Sequence, residues 1–547
     1  MKIEGGAEMA REAQFRPMQH WPLTVDKFID HAARWHGQTE IVSRGNDGMV
    51  SRTCWADLRL KAKRISNALL AEGIQPGDRV GTLSMNSADH LAAWFGIMGI
   101  GAVCHTLNPR LAAEQLEYIV RHAGDQIIFA DAEFAPLISA AAAPNPAVRR
   151  IIWLDGDGPE GLGAFISPHG EDCAWGEFHE DSPAGLCYTS GTTGNPKGVM
   201  YTHRSNYLHT LMAMQPDALD LSARDVWLPV VPMFHANAWG LTFAAAAVGA
   251  KLVLPGRHVD GESLYNLMEA EGVTVTAGVP TVWQSLLNHM DARGVNLDKL
   301  TRALVGGAAC SQALYLAFEK RNILVQHNWG MTETSPLGTA CTLTTNVAAL
   351  PAEAQLRQRL KQGRVAIGVD MRIVNERGEA MPHDGRSPGF LQVRGHSIVD
   401  TYFGAGRSAL DADGFFDTGD VATIDAMGYM QITDRAKDVI KSGGEWISSV
   451  DMENAVLMHP AAEAAAVIAI PHPKWDERPL LMVKAKPGCL ISEEDVRQHL
   501  ARQFAKWELP DIILFVSTVP LGATGKIDKK LLRDRYATGG VHALMEL

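Results

Sequence analysis

At 547 residues the chain is too long for one ordinary core and corresponds to about three to four domain-sized units. With 46% hydrophobic and 20% charged residues it reads as globular rather than disordered. A net charge of −12 argues against bulk electrostatic binding of nucleic acid or an anionic membrane, while leaving room for a local basic pocket.

The first eight residues hold no apolar run of the kind a secretory signal needs. Residues 55–72 are amphipathic: Leu58, Ala62, Ile65 and Leu69 share one face at helical spacing, and Arg59, Lys61, Lys63 and Arg64 read as a solvated face. Gly73 ends that helix, and Pro76, Gly77 and Asp78 turn the chain into a strand at 79–83. The most apolar stretch, 91–104, is too short to span a bilayer and reads as a buried helix. Short β-rich runs recur at 127–130, 150–154, 250–254, 273–277 and 303–305, and helices are predicted at 261–271 and 281–292. That alternation predicts α/β sheets with helices on their faces. After about residue 340, strand and turn signals at 371–374, 389–394, 422–424 and 429–433 predict a mainly β subdomain over about 340–434. A charged junction at 434–438 leads into a compact α+β segment, with strands at 464–470 and 480–484 and a helix opened by the capping-box pattern at 492–495. Seven scattered cysteines include no C-x-x-C pair, so no zinc ribbon or redox motif is visible and free thiols in a reducing cytoplasm are expected.

The densest chemistry lies at 188–198, Tyr-Thr-Ser-Gly-Thr-Thr-Gly-Asn-Pro-Lys-Gly, with four Ser/Thr hydroxyls, three glycines and one lysine in eleven residues. Glycines let backbone N–H groups approach an anion, hydroxyls donate to phosphate oxygens, and Lys197 adds a point charge. The loop suits polyphosphate. It is not a Walker A loop, because Pro196 precedes the lysine and Gly198 follows it.

Further strings follow at long intervals: Val-Pro-Met-Phe-His-Ala at 231–236, Val-Gly-Gly-Ala-Ala at 305–309, Asn-Trp-Gly-Met-Thr-Glu-Thr at 328–334, Asp-Thr-Gly-Asp at 417–420, Asp-Arg-Ala-Lys-Asp at 434–438, Lys-Ser-Gly-Gly-Glu-Trp at 441–446 and Gly-Ala-Thr-Gly-Lys at 522–526. In order and spacing, from about 25 to 536, this set resembles the acyl-adenylate-forming superfamily, which includes acyl-CoA synthetases, luciferases and peptide-synthetase adenylation domains. Within it, the 234–239 and 442–448 strings look like bacterial medium-chain fatty-acyl-CoA and 3-methylmercaptopropionyl-CoA ligases.

The resemblance implies an N-terminal domain over 1–436 with two α/β sheet subdomains and the β subdomain, and a small mobile α+β C-terminal domain over 437–547. It implies ATP, Mg²⁺ and coenzyme A as cofactors and a small carboxylic acid as substrate, with no nucleic acid, no membrane insertion and room for a homodimer. Thr189, Ser190, Gly191, Thr192, Thr193, Gly194 and Lys197 would hold phosphates, with Thr192 and Glu333 near the metal. Gly307, Ala308, Trp329 and Thr332 would bound the adenosine slot, with Trp329 stacking on the base. Asp420 would accept from the ribose hydroxyls with Arg435 beside it. Lys526 would reach the carboxylate and α-phosphate together, and His235 would orient the acid. Lys437 would be the hinge about which Lys441, Ser442, Gly443, Gly444, Glu445 and Trp446 swing to meet coenzyme A. The acyl pocket would be formed by His235, Ala236, Trp239, Gly240, Val305, Gly306, Gly330, Met331 and Pro336. Lys529 and Lys530 read as a solvated basic tail.

Two rivals share these residues. One is an adenylating enzyme with another acceptor, or with an aryl or long-chain acid. The other is a non-catalytic acyl- or nucleotide-binding regulator, disfavoured because Lys197, Glu333, Asp420, Arg435 and Lys526 are all present.

Overall fold

The computed structural model describes residues 18–189, 195–443, 445–522 and 526–547. Among them the strands form four sheets. The first has the parallel order Arg150–Trp153, Ile127–Ala130, Arg79–Leu83, Val103–Thr106 and Pro183–Tyr188, with Gly198–Thr202 antiparallel at one edge. Ile127–Ala130 is buried at every position, as a parallel strand covered on both faces must be.

Helix Trp55–Ala71 covers this sheet through Leu58, Ala62, Ile65 and Leu69, which share a core with Val80, Ile127 and Phe129. Its basic face is less solvated than its sequence predicts. Lys63 is buried, donates to the Cys173 carbonyl at 2.6 Å and lies 3.9 Å from the centroid of the Trp175 ring. A long methylene stem under an aromatic ring explains how a lysine can be accommodated there. The apolar stretch at 91–104 proves to be two elements. Helix Ala88–Gly99 is buried except at Asp89, and strand Val103–Thr106 follows it.

The second sheet has nine strands. Glu40–Arg44, Lys251–Leu254, Val226–Pro229, Val275–Gly278, Arg302–Val305 and Leu324–Gly330 are mutually parallel, which aligns their carboxyl ends along one edge of the sheet. Loops at that edge are where open α/β sheets bind ligands. Leu337–Ala340 folds back antiparallel on Leu324–Gly330 and extends this sheet together with Arg364–Val365. The antiparallel β unit expected from about 340 therefore begins later, with Val369–Val374, Gly389–Gly395, Phe416–Ile424 and Met430–Arg435.

The fourth sheet contains Ile440–Ser442, Glu445–Ile447, Ala462–His472, Asp476–Ala485 and Ile512–Phe515, with helices Ser449–Leu457, Glu493–Leu500 and Lys529–Met545. It has its own apolar clusters, one around Val467 and Leu481 and one around Ile468 and Leu480. The expected capping box is formed: Ser492 and Asp495 satisfy each other's backbone N–H. Lys529 departs from the solvated tail expected of it. Its ammonium is 2.8 Å from Glu453 and 2.5 Å from the Ser449 hydroxyl, with only 11% of the side chain exposed, whereas Lys530 stays outside and pairs with Asp534. All seven cysteines are free thiols. Among the described residues no helix is long and apolar enough to cross a membrane.

Candidate active site

The carboxyl ends of Val226–Pro229 and Val275–Gly278 and the first turn of helix Pro280–Arg293 line a cavity of ≈ 70 Å³. Its walls are Val230, Val231, Pro232, Phe234, Trp239, Val259, Val279 and Val282, with Gly278 and Gly307 where the backbone itself is the surface. Three polar side chains reach it: Arg110, His235 and Lys526. An apolar slot with a few convergent polar groups suits an amphiphilic small molecule with one anionic end.

His235 begins an unusual turn. Ala236, Asn237, Ala238 and Trp239 have φ of 43, 54, 49 and 58°, and Gly240 has 72°. Each non-glycine residue in this left-handed region costs about 1–2 kcal/mol. Burial of Ala236, Asn237 and Ala238 holds the turn in place. It presents Trp239 to the cavity, with Cη2 only 2.9 Å from the point a Cβ on Gly306 would occupy. Gly306 therefore has no room for a side chain while Trp239 lies there. His235 is held down to about 4, first by burial and then by Lys526 and Arg110. It is neutral near pH 7.

Lys526 comes from the fourth-sheet unit, yet its Cε lies 3.7 Å from the point a Cβ on Gly307 would occupy. Burial lowers its ammonium to about 8; Arg435 lowers it further, and Asp420 and Glu333 oppose the shift. These four groups form one electrostatic neighbourhood.

Asp420 is buried on strand Phe416–Ile424 and uses both carboxylate oxygens. Trp329 Nε1–H donates to Oδ2 at 2.8 Å, and Arg435 Nε lies 2.8 Å from Oδ1. Trp329 is itself buried. Asn328, its neighbour, is buried with no partner for Oδ1, and its carbonyl oxygen lies 3.4 Å from the Gly306 Cβ point. Glu333 is buried and accepts from the Tyr402 hydroxyl at 2.9 Å; burial pushes its carboxyl up, while Tyr402, Arg435 and Lys197 oppose the shift. Lys197 is exposed and lies 4.7 Å from the Tyr402 ring centroid. Among the described residues no group of three or more His, Cys, Asp or Glu is placed to cage a metal. A lone carboxylate fits Mg²⁺ that keeps most of its oxygen ligands from water and phosphate.

A second cavity lies across Phe234 and His235 from the first. Thr106, Asn108, Gln115, Tyr188 and Thr189 give it polar walls, and Leu107, Leu111 and Ile119 apolar ones. Ser190, Gly191, Thr192, Thr193 and Gly194 lie outside the described residues, as does Gly444. Thr189 N–H donates to the Lys197 carbonyl at 2.9 Å, which closes the base of that loop.

The structure brings His235, Trp239, Gly307 and Lys526 to one cavity, and Glu333, Asp420 and Arg435 close to Lys526. It does not bring the 441–446 turn there. Lys441 pairs with Glu376 at 3.2 Å, Ser442 accepts from Arg478, Gly443 N–H donates to the Trp475 carbonyl, and Trp446 packs on Phe390. Of the expected acyl-pocket residues, Val305 lies in the apolar core with Val253 and Trp283, and Gly330, Met331 and Pro336 form the bend after strand Leu324–Gly330. A Cβ on Gly330 would fall 1.7 Å from the Pro336 carbonyl oxygen, so the bend excludes every other residue. Around the hinge expected at Lys437, which is exposed, Asp434 accepts from the Ser449 N–H at 2.7 Å, Ser448 donates to the Thr433 carbonyl, and Asp438 pairs with Arg533.

Sequence reasoning missed the valine walls, Arg110, Tyr402 and Asn328. The position of Val279 and Val282, directly after a strand and at a Pro-initiated helix start, was the available signal for the first of these.

The family described as AMP-binding enzyme matches residues 28–403, and its C-terminal domain matches 451–526. The chain belongs to the AMP-binding enzyme family and is an acyl-CoA synthetase of the adenylate-forming superfamily, using ATP, Mg²⁺ and coenzyme A. It is 47% identical to the 3-methylmercaptopropionyl-CoA ligase of Ruegeria lacuscaerulensis over 95% of this chain and 98% of that one. It is 44% identical to the medium-chain-fatty-acid–CoA ligase of Ectopseudomonas oleovorans over 94% of this chain and 96% of that one. The crystal structure of the anthranilate CoA ligase AuaEII with anthranoyl-AMP shares the fold, with a TM-score of 0.86 at 24% identity over 95% of this chain and 98% of that one.

Proposed function

We propose that the protein converts 3-methylmercaptopropionate or a short- to medium-chain fatty acid to its CoA thioester, with Lys526 as the activating cation. The observation that carries this reading is the position of Lys526, with Arg110 and His235, at a cavity whose apolar walls are valines, Pro232, Phe234 and Trp239. A carboxylate pairs with the ammonium while its chain lies among the valines. Trp239 limits the chain length. A thioether acid and a short fatty acid are nearly isosteric, and an apolar pocket separates one methylene by only about 1–3 kcal/mol.

In the first half-reaction a carboxylate oxygen bonds to the α-phosphorus of ATP, the bond to the bridging oxygen breaks, and pyrophosphate leaves. Lys526 stabilises the charge that builds on the phosphoryl oxygens. Residues 189–194 and Lys197 hold the phosphates, and Asn328 Oδ1 accepts from the adenine amino group. Asp420 takes the ribose hydroxyls. Glu333 and Thr192 would hold Mg²⁺, which supplies positive charge against the phosphates. In the second half-reaction the thiol sulfur bonds to the acyl carbon, the bond to AMP breaks, and the thiol proton leaves to solvent. His235 orients the acid rather than acting as base: with its value near 4 it is a weak acceptor for a thiol near 8.5.

The C-terminal domain, 437–547, turns about Lys437 between the two steps. Lys526 withdraws and the 441–446 turn approaches the second cavity, where Asn108, Gln115 and Thr106 suit the amides of a pantetheine arm. We further propose a cytoplasmic homodimer, checked by light scattering for the mass and by fractionation for the compartment. The test of the substrate is a panel from acetate to dodecanoate plus 3-methylmercaptopropionate, scored for AMP formation with and without coenzyme A. AMP release that ignores coenzyme A contradicts the acceptor, and a maximum at an aryl or longer acid contradicts the proposed substrate.

A further inference from the structure

We infer that Trp329 is a positioning residue that sets the ribose selectivity of the enzyme through its indole N–H bond to Asp420. The inference rests on the reading of Asp420 as the ribose acceptor. A carboxylate that must accept from two vicinal hydroxyls gains from a fixed plane, because each oxygen has one lone pair to spare once the other is engaged. Here each oxygen already has one protein partner. Trp329 Nε1–H takes Oδ2 and Arg435 takes Oδ1, each at 2.8 Å.

The two supports differ in permanence. Arg435 has 42% of its side chain exposed and ends strand Met430–Arg435, two residues before the proposed hinge at Lys437. Trp329 is buried on strand Leu324–Gly330, which is paired on both sides in the large sheet. Its ring is locked as well: a Cβ on Gly338 would fall 2.4 Å from its Cζ3, so Gly338 leaves space shaped for the indole. Trp329 is thus the rigid support of Asp420, and its N–H, more than its ring face, is what the site uses.

The test compares kcat/KM for ATP with that for 2′-deoxy-ATP and 3′-deoxy-ATP in acid-dependent pyrophosphate exchange. Trp329→Phe keeps an aromatic ring, smaller than the indole, and removes the donor. It should lose about tenfold of the wild-type preference for ATP over the deoxy analogues, the size expected for one hydrogen bond to a charged group, with the KM for the acid unchanged. Should Trp329→Phe fold poorly, 3-benzothienylalanine at position 329 replaces the N–H by sulfur in the same shape and should give the same loss. Wild-type discrimination in both, alongside lost discrimination in Asp420→Asn, overturns the role of Trp329 and leaves the ribose reading standing. Unchanged discrimination in Asp420→Asn as well overturns both.

Discussion

Lys526 and Gly307 meet across two separate sheets: the lysine Cε stands 3.7 Å from where a Cβ on Gly307 would be. A side chain from the last tenth of the polypeptide thus completes a cavity built by the first three-fifths. Contact between the lysine and that Cβ would be ordinary van der Waals packing; what favours glycine at 307 is its φ of 77°.

Lys526→Ala should reduce acyl-AMP formation by about 10²–10³, the usual loss for one preorganised donor to a developing anion. Thioester formation from supplied acyl-AMP should be nearly untouched, because in the proposed cycle the lysine has withdrawn by then. Rapid-quench assays of each half-reaction check this. Equal damage to both would contradict the assignment.

The proposed role requires the ammonium of Lys526 in its charged form, and burial lowers it to about 8. Adenylation kcat/KM should therefore be flat below pH 8 and fall about tenfold per pH unit above it, since kcat/KM reports the free enzyme. Asp420 holds the ammonium up, so Asp420→Asn should move that falling limb to lower pH. A limb that starts only beyond pH 10 would mean that the lysine is solvated in the working enzyme.

Trp239 lines the valine-walled slot, with its Cη2 2.9 Å from the point a Cβ on Gly306 would occupy. Trp239→Ala should move the optimum of the fatty-acid panel to longer chains, at about 1–3 kcal/mol per added methylene accommodated. Gly306→Ala should act on the same wall by displacing the indole. An unchanged chain-length profile in both variants would place the acyl chain elsewhere.

Lys437→Pro fixes φ at the proposed hinge. It should slow thioester formation far more than adenylation, because the Lys526-in arrangement already exists while the 441–446 turn remains engaged with Glu376 and Phe390. Unaffected overall turnover would argue against domain alternation. Separately, the cross-hinge bonds from Asp434 and Thr433 to the start of helix Ser449–Leu457 should be broken in the thioester-forming state, which makes the Ser449 amide a reporter for hydrogen exchange.

Local signals were strong where the physics is local. The helix at Trp55–Ala71, the capping box at Ser492 and the strand Arg79–Leu83 follow from periodicity, capping and turn chemistry. Motif strings marked Lys526, Asp420 and Glu333 because unusual residue orders survive in one chain. What remained hidden depends on partners distant in sequence. Lys63 and Lys529 look like surface lysines until Trp175 and Glu453 are folded against them. Trp329 reads as a stacking ring, yet its N–H bond to Asp420 is invisible without tertiary structure. Leu337–Ala340 joins the large sheet because the bend at 331–336 returns it beside Leu324–Gly330, an outcome that composition after residue 340 does not encode.

Acid-dependent exchange of labelled pyrophosphate into ATP, measured without coenzyme A on the wild type and on Lys526→Ala, isolates the step in which the lysine acts. Exchange that is robust in the wild type with a short- or medium-chain acid and nearly abolished in the variant is the expected result. No exchange with any acid, or equal exchange in the two proteins, would contradict the central role of Lys526.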